Sequence, residues 1–282
     1  MTEPTPEITD LDRAKIAAAA DQLENPGLAG QLADAVGTPV EKLLERLPTS
    51  IQDTINKGTE KALDAALAAA IRTVDEDGKA TKPWNTTHKV AATLSGIAGG
   101  FFGLPALVAE LPVTTGIMLR SIIDIARSKG EDVTDPEVQL ACLEVFALGS
   151  AGPEKATKEA VEQADIEDDK FAEAGYYIAR AALAHQVKTA VAALSKGSLP
   201  GLPSVAGKVI SKITTRFGIA VSEKAAAQAV PILGAVGGGL VNALFMSHYQ
   251  DVAEAHFTVR AMERQYGEEA VRAVFEKTAN AV

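Results

Sequence analysis

Apolar residues recur at spacings of three and four along almost the whole chain, which is the pattern of amphipathic helices. Punctuation divides that pattern into pieces. Residues 10–24 predict a short helix with Asp10 as its N-cap, stopped by Asn25-Pro26-Gly27. A second piece covers about 28–36 and ends at Gly37. A third runs over 39–47, from Pro39 to Pro48. Residues 50–74 read as a long helix with Ile51, Ile55, Ala62, Ala66 and Ala69 on one face. Asp135-Pro136-Glu137 predicts the start of a helix over 136–148, closed by Gly149. Further helices are expected over 110–130, 176–195 and 204–217, and over 248–281 with a split near Gly267. No run of four to eight alternating β-branched residues lies between turn signals, so no sheet is expected. The fold class is therefore all-α. Residues 1–9 are expected to be a disordered N-terminus and 10–282 a single helical domain.

Two stretches depart from amphipathic patterning. Residues 90–109 and 225–247 contain no charged side chain, and each approaches the ~20 residues needed to cross a bilayer. Glycines four apart, Gly96/Gly100, Gly99/Gly103 and Gly234/Gly238, put small residues on one helix face. Such a face lets a neighbouring backbone approach closely. The two stretches are expected to be central helical segments packed on each other, in a soluble core or against lipid. Pro105 and Pro231 should kink or break them.

Composition narrows the function. Charged residues make up 23%, too many for a polytopic membrane protein. Acidic residues outnumber basic ones 37 to 27, which argues against a nucleic-acid partner. The lone cysteine, Cys142, excludes an internal disulfide and any cysteine cluster. The N-terminus lacks a basic-then-apolar leader, so a cytoplasmic setting is expected. No phosphate loop, GxGxxG, GxSxG or HExxH is present, and no cofactor is implied.

Polar residues inside apolar helices are the main chemical signal. Glu110, Thr114, Ser121 and Asp124 share a helix face, and Arg120 and Arg127 stand within pairing distance of Asp124. Asn242, Tyr249, His256 and Glu263 are seven apart, with Arg260 one turn from His256. An unpaired buried charge is prohibitive, so these stripes must pair, meet water or bind a ligand. They are either a network that fixes helix register or a polar groove. In the groove reading, Glu110, Arg120, Asp124, His248, His256 and Arg260 are the catalytic candidates. A metal would need His248 and Asp251 on one face, completed by Glu110 or Glu144 from another helix. Lys208, Lys212 and Arg216 recur every four residues beside Val205, Val209, Ile213 and Phe217. That pattern suits contact with anionic lipid, with Phe217 on the apolar side.

The run GGFFGLPALVAELPVTTGIMLRSIIDIARSKGEDVTDPEVQLACLEVFALGS at 99–150 resembles the signature of the EcsC family. The run VPILGAVGGGLVNALFMSHYQDVAEAHFTVRAMERQYG at 230–267 is similar to that family's closing motif, and NPGLAGQLADAVGTPVEKLLERLP at 25–48 to its opening. The resemblance implies a bacterial protein in the neighbourhood of an exporter-type ABC transporter. It brings no catalytic residues with it. The expected function is thus a membrane-associated accessory protein on the cytoplasmic face of the membrane, with an anionic membrane surface and a transporter as partners. A hydrolase working in the polar groove, or a carrier of lipid or another apolar ligand, are the alternatives.

Overall fold

The computed structural model describes residues 6–25, 27–45, 49–74, 104–150, 175–181, 183, 202–229 and 234–280. Helix α1 is Asp10–Glu24. Its N-cap is Thr9 rather than the expected Asp10: the Thr9 Oγ1 accepts the Asp12 amide at 3.2 Å and donates to Asp12 Oδ2 at 2.9 Å. A Thr-x-x-acid pair of this kind satisfies a backbone donor that the first turn would leave open. Ile8 is buried, so part of the stretch expected to be disordered already belongs to the core.

Helices α2 (Leu28–Val36) and α3 (Val40–Leu44) follow. Gly37 ends α2 in the left-handed region at φ 66°, where glycine carries no Cβ penalty. Helix α4 (Thr49–Val74) presents Ile55, Ala62 and Ala66 to the core, as the spacing requires. Helix α5 is Leu104–Ser128 and α6 is Pro136–Leu148. Asp135 caps α6 by accepting the Glu137 amide at 2.8 Å. Residues 175–181 are helical. Helix α7 is Leu202–Gln228, α8 is Gly234–Tyr266 and α9 is Glu268–Ala279. Gly267, at φ 85°, separates the last two. Among the described residues there is no strand.

The first uncharged stretch lies outside the described residues up to 103, and with it Gly96, Gly99, Gly100 and Gly103. The second is shared between the end of α7 and the start of α8, so it is not one helix. Pro231, expected to kink or break this stretch, lies outside the described residues. Gly234 and Gly238 stand in the first turns of α8. Among the described residues no helix is long and apolar enough to cross a membrane.

Helix α8 is the longest described element and packs against α1, α2, α5, α6, α7 and α9. It runs parallel to α5: Asn242 meets Glu110, Gln250 meets Ser121 and Arg260 meets Glu131, in the same order along both segments. Helix α7 runs back against them, since Lys224 near its C-terminus reaches Glu110. The starts of α5 and α8 and the end of α7 therefore meet at one end of the described fold.

Aromatic rings fill the centre. Phe217 lies 4.7 Å from Phe146 and 5.5 Å from Tyr249, centroid to centroid, and is fully buried. This corrects its assignment as a lipid contact: the apolar side of α7 faces the protein core. Arg216 is only 9% exposed, so it does not continue an open basic face either. Phe217→Ala should lower the unfolding free energy by about 3–5 kcal/mol, the range for deleting a buried aromatic ring. Urea melts followed by circular dichroism measure it. A loss under about 1 kcal/mol would place the ring on the surface.

Candidate functional site

The seven-residue polar repeat on α8 faces inward along the helix. Each member meets a partner from another element. Asn242, Tyr249 and His256 are fully buried and Glu263 is partly so. The result is a seam of four polar levels through an otherwise apolar interior.

At the first level, Glu110 Oε1 accepts three donors. They are Asn242 Nδ2 at 2.7 Å, Thr114 Oγ1 at 2.9 Å and Lys224 Nζ at 3.3 Å. Glu110 Oε2 has no hydrogen-bond partner among the described residues. Lys224 is fully buried, with its ammonium 5.1 Å from the centroid of the Phe245 ring. Burial pulls the Lys224 pKa below the usual lysine value, and the Glu110 charge and hydrogen bond oppose that pull.

At the second level, Tyr249 Oη and Ser150 Oγ are 2.7 Å apart, and Ser150 also donates to the Phe146 carbonyl. His248 Nε2 donates to the Gly149 carbonyl at 2.6 Å. Only glycine fits at 149: a Cβ there would lie 2.7 Å from the Tyr249 ring and 3.2 Å from His248 Nε2. Burial drives the Tyr249 hydroxyl pKa upward, so it stays protonated.

At the third level, His256 Nδ1 lies 2.9 Å from Tyr176 Oη. Burial, reinforced by the nearby Arg180 and Arg260 charges, holds the His256 pKa well below the ordinary histidine value, so the ring is neutral. Glu144 on α6 is also buried. Desolvation raises its pKa to about 7, against the pull of Arg180 and Arg260.

At the fourth level, Arg180 Nη1 grips both oxygens of Glu263, at 2.7 and 2.8 Å, and Tyr177 Oη donates to Oε1 at 3.2 Å. Beside it, Glu131 accepts from Arg260 at 2.8 Å and from Arg264. Burial pushes the Glu131 pKa up, but the two guanidinium groups outweigh it and hold the carboxyl below its usual range. Glu24, at the end of α1, accepts the Gly175 and Tyr176 amides at 3.2 and 2.9 Å. It thereby ties the end of α1 to the 175–181 helical stretch that supplies Tyr176, Tyr177 and Arg180.

A match to a family model, the EcsC protein family, covers residues 11–262. The chain belongs to the EcsC family. No curated protein and no solved structure gives a match.

The candidate residues of this EcsC chain separate rather than converge. Glu110 is bound into the first level. Arg120 Nε and Arg127 Nη1 each lie 3.6 Å from Asp124 Oδ1, as the helical spacing implied, along α5 itself. His248 and His256 belong to different levels, and Arg260 pairs with Glu131. His248 and Asp251 do not form a metal pair: His248 is fully buried, whereas Asp251 is exposed in the groove between α1 and α8. Three residues turn a helix by 300°, and the edge of the core passes between the two positions. Among the described residues no group of three or more His, Cys, Asp or Glu side chains could hold a metal ion. Lys212 is half-buried, and the Lys208 side chain lies outside the described residues. Cys142 is buried with its thiol pKa pushed upward, so it stays a protonated thiol.

Sequence reasoning missed Lys224, Glu131, Glu144, Tyr176 and Arg180 as seam members. Lys224 carried a readable signal. It follows Phe217 by seven residues, which extends the inward stripe of Ile213, Phe217, Ala220 and Val221.

Two predictions follow from this geometry. Lys224→Met leaves the buried Glu110 carboxyl without its cationic partner, and should cost about 3–5 kcal/mol. Combining it with Glu110→Gln should recover most of that loss. A double-mutant cycle in urea measures the coupling, and additive losses would mean that the two side chains do not interact. The second concerns pH. Glu144 has a higher pKa folded than unfolded, so its contribution is intact below about 4.5 and is lost as pH rises towards 7. Glu144→Gln should therefore stabilise the protein by about 3 kcal/mol at pH 8 and change little at pH 4. Equal effects at both values would contradict a buried, protonated Glu144.

Proposed function

We propose that this protein is a non-catalytic accessory protein that associates with a membrane through the end of the fold where α5 and α8 begin. One observation carries the reading. Because α5 and α8 run parallel, the uncharged sequence leading into each helix joins the described fold at the same end. Lys224, near the end of α7, reaches that end as well. Val113 is 57% exposed and Leu240 is 45% exposed, and both lie within a turn of the Glu110–Asn242 contact. Two of the three large exposed apolar side chains among the described residues thus sit by the same end. An apolar end bordered by such side chains suits insertion into the boundary between lipid headgroups and acyl chains.

The closed seam supports an accessory role over a hydrolytic one. Catalysis by Glu110, Asp124, His248 and His256 would need these groups around one opening, and they instead occupy separate hydrogen-bonded levels. Lys212 and Lys208 lie about 18 and 24 Å back along α7 from Lys224, at 1.5 Å per residue. Contact with lipid is therefore assigned to the apolar end rather than to this basic stretch. The membrane partner is a transporter, the association that the family resemblance implies.

Vesicle flotation tests the reading. The protein should float with phosphatidylcholine vesicles, and adding phosphatidylglycerol should change this little. Val113→Glu combined with Leu240→Glu should abolish flotation while leaving the circular dichroism melt intact. Failure of the native chain to float with either vesicle would overturn the proposal. So would binding that requires anionic lipid and is lost on Lys208→Glu with Lys212→Glu.

A further inference from the structure

The outward side of α5 carries more than an apolar start. Val113, Gly116, Ile117 and Arg120 fall on one side of the helix within two turns. Val113 is exposed and Ile117 is partly buried. A Cβ at Gly116 would meet no atom within 4 Å, so the helix surface between these two side chains is uncovered. Glu110, the earlier charge on α5, is turned into the seam. Arg120 is therefore the first charge met along the outward side. On α8, after Gly234, no Asp, Glu, Lys or Arg occurs before Asp251, about three turns beyond Leu240. The apolar surface that begins at Val113 and Leu240 thus ends, on α5, at a guanidinium group.

Arg120 is placed to exchange partners. Its Nε lies 3.6 Å from Asp124 Oδ1, and Arg127 Nη1 approaches the same oxygen from the other side, also at 3.6 Å. Two guanidinium groups share this carboxylate. The Arg120 side chain is 35% exposed and that of Arg127 only 7%. Arg127 is held in place by its surroundings, whereas Arg120 can turn outward while Asp124 keeps a cation beside it. Without that second cation the move would be unfavourable, because a nearly buried carboxylate stripped of its partners is strongly destabilising.

Distance and chemistry name the partner. Arg120 follows Val113 by seven residues, about 10 Å along the helix at 1.5 Å per residue. Interfacial segments enter the boundary between headgroups and acyl chains by ~5–10 Å. With Val113 at that boundary, Arg120 stands at the level of the headgroup phosphates. A long cationic side chain lays its methylenes along apolar surface and extends its charge into the polar layer. The planar guanidinium pairs with two phosphate oxygens at once, which a headgroup made only of hydroxyls does not offer.

We propose that Arg120 binds the phosphodiester of a phospholipid headgroup when the apolar end meets a membrane, while Arg127 stays with Asp124. This contact rests on the membrane reading and adds the lipid class to it: phospholipid over phosphate-free lipid. Phosphatidylcholine and phosphatidylglycerol both carry the phosphodiester, so the two serve about equally well.

Flotation of the full chain with vesicles of phosphatidylcholine, and with vesicles of the uncharged, phosphate-free digalactosyl diacylglycerol, tests it. The native chain should bind phosphatidylcholine about fivefold more tightly than the galactolipid. Arg120→Gln should erase that preference by weakening binding to phosphatidylcholine alone. It should leave flotation with the galactolipid and the circular dichroism melt unchanged, since Asp124 retains Arg127 and a half-exposed ion pair adds little stability. Equal flotation of the native chain with both lipids would overturn the phosphate contact and leave the membrane reading standing. So would an Arg120→Gln chain that keeps the preference, or one that loses binding to both lipids alike. Flotation of the native chain with neither lipid would overturn both.

Discussion

The Glu110–Lys224 contact is the constraint on which the arrangement of the central helices depends. Both side chains are withdrawn from water, and their attraction is the main compensation for that desolvation. The pair joins α5 to α7, and Asn242 adds α8 through the same carboxylate oxygen. Three long helices are thus tied at one point. Apolar packing alone would tolerate a shift of one helix along another. A buried carboxylate with three donors does not, because any slip strands a charge.

The remaining levels of the α8 seam repeat this logic with other chemistry. Tyr249 ties α8 to the end of α6, His256 ties it to the 175–181 helical stretch, and Glu263 ties it to Arg180 in that same stretch. The seven-residue step suits this use, since it drifts only ~20° per repeat on a straight helix. One face therefore stays inward from Asn242 to Glu263 while successive neighbours come into reach. A network closed in this way specifies register.

Much of the secondary structure was legible residue by residue. Asp135-Pro136, Gly37, Gly149 and Gly267 marked helix limits because each acts on its own backbone within a turn. The polar repeat at 242, 249, 256 and 263 was legible because spacing alone sets a helix face. Its partners were not. Ser150, Tyr176 and Arg180 are separated from α8 by long stretches of chain, and nothing local to them reports which helix they will meet. Lys224 was hidden for another reason. It is the last charge before an uncharged run, and only its distance from Phe217 placed it on the inward stripe.

The basic repeat of α7 shows the converse. Lys208, Lys212 and Arg216 beside an apolar face form a pattern that fits lipid and protein core equally well, because both are apolar surroundings for the same stripe. Which one α7 meets depends on whether other helices cover it. Phe146 and Tyr249 do, and Phe217 is consequently buried. By itself, then, the sequence determined the helical class, the main helix limits, the family and the inward face of α8, all consequences of short-range backbone preference and spacing. Only the tertiary structure decided that α5 and α8 run parallel and that the polar stripes meet each other. Those outcomes depend on pairings between segments far apart in the chain, which no local pattern encodes.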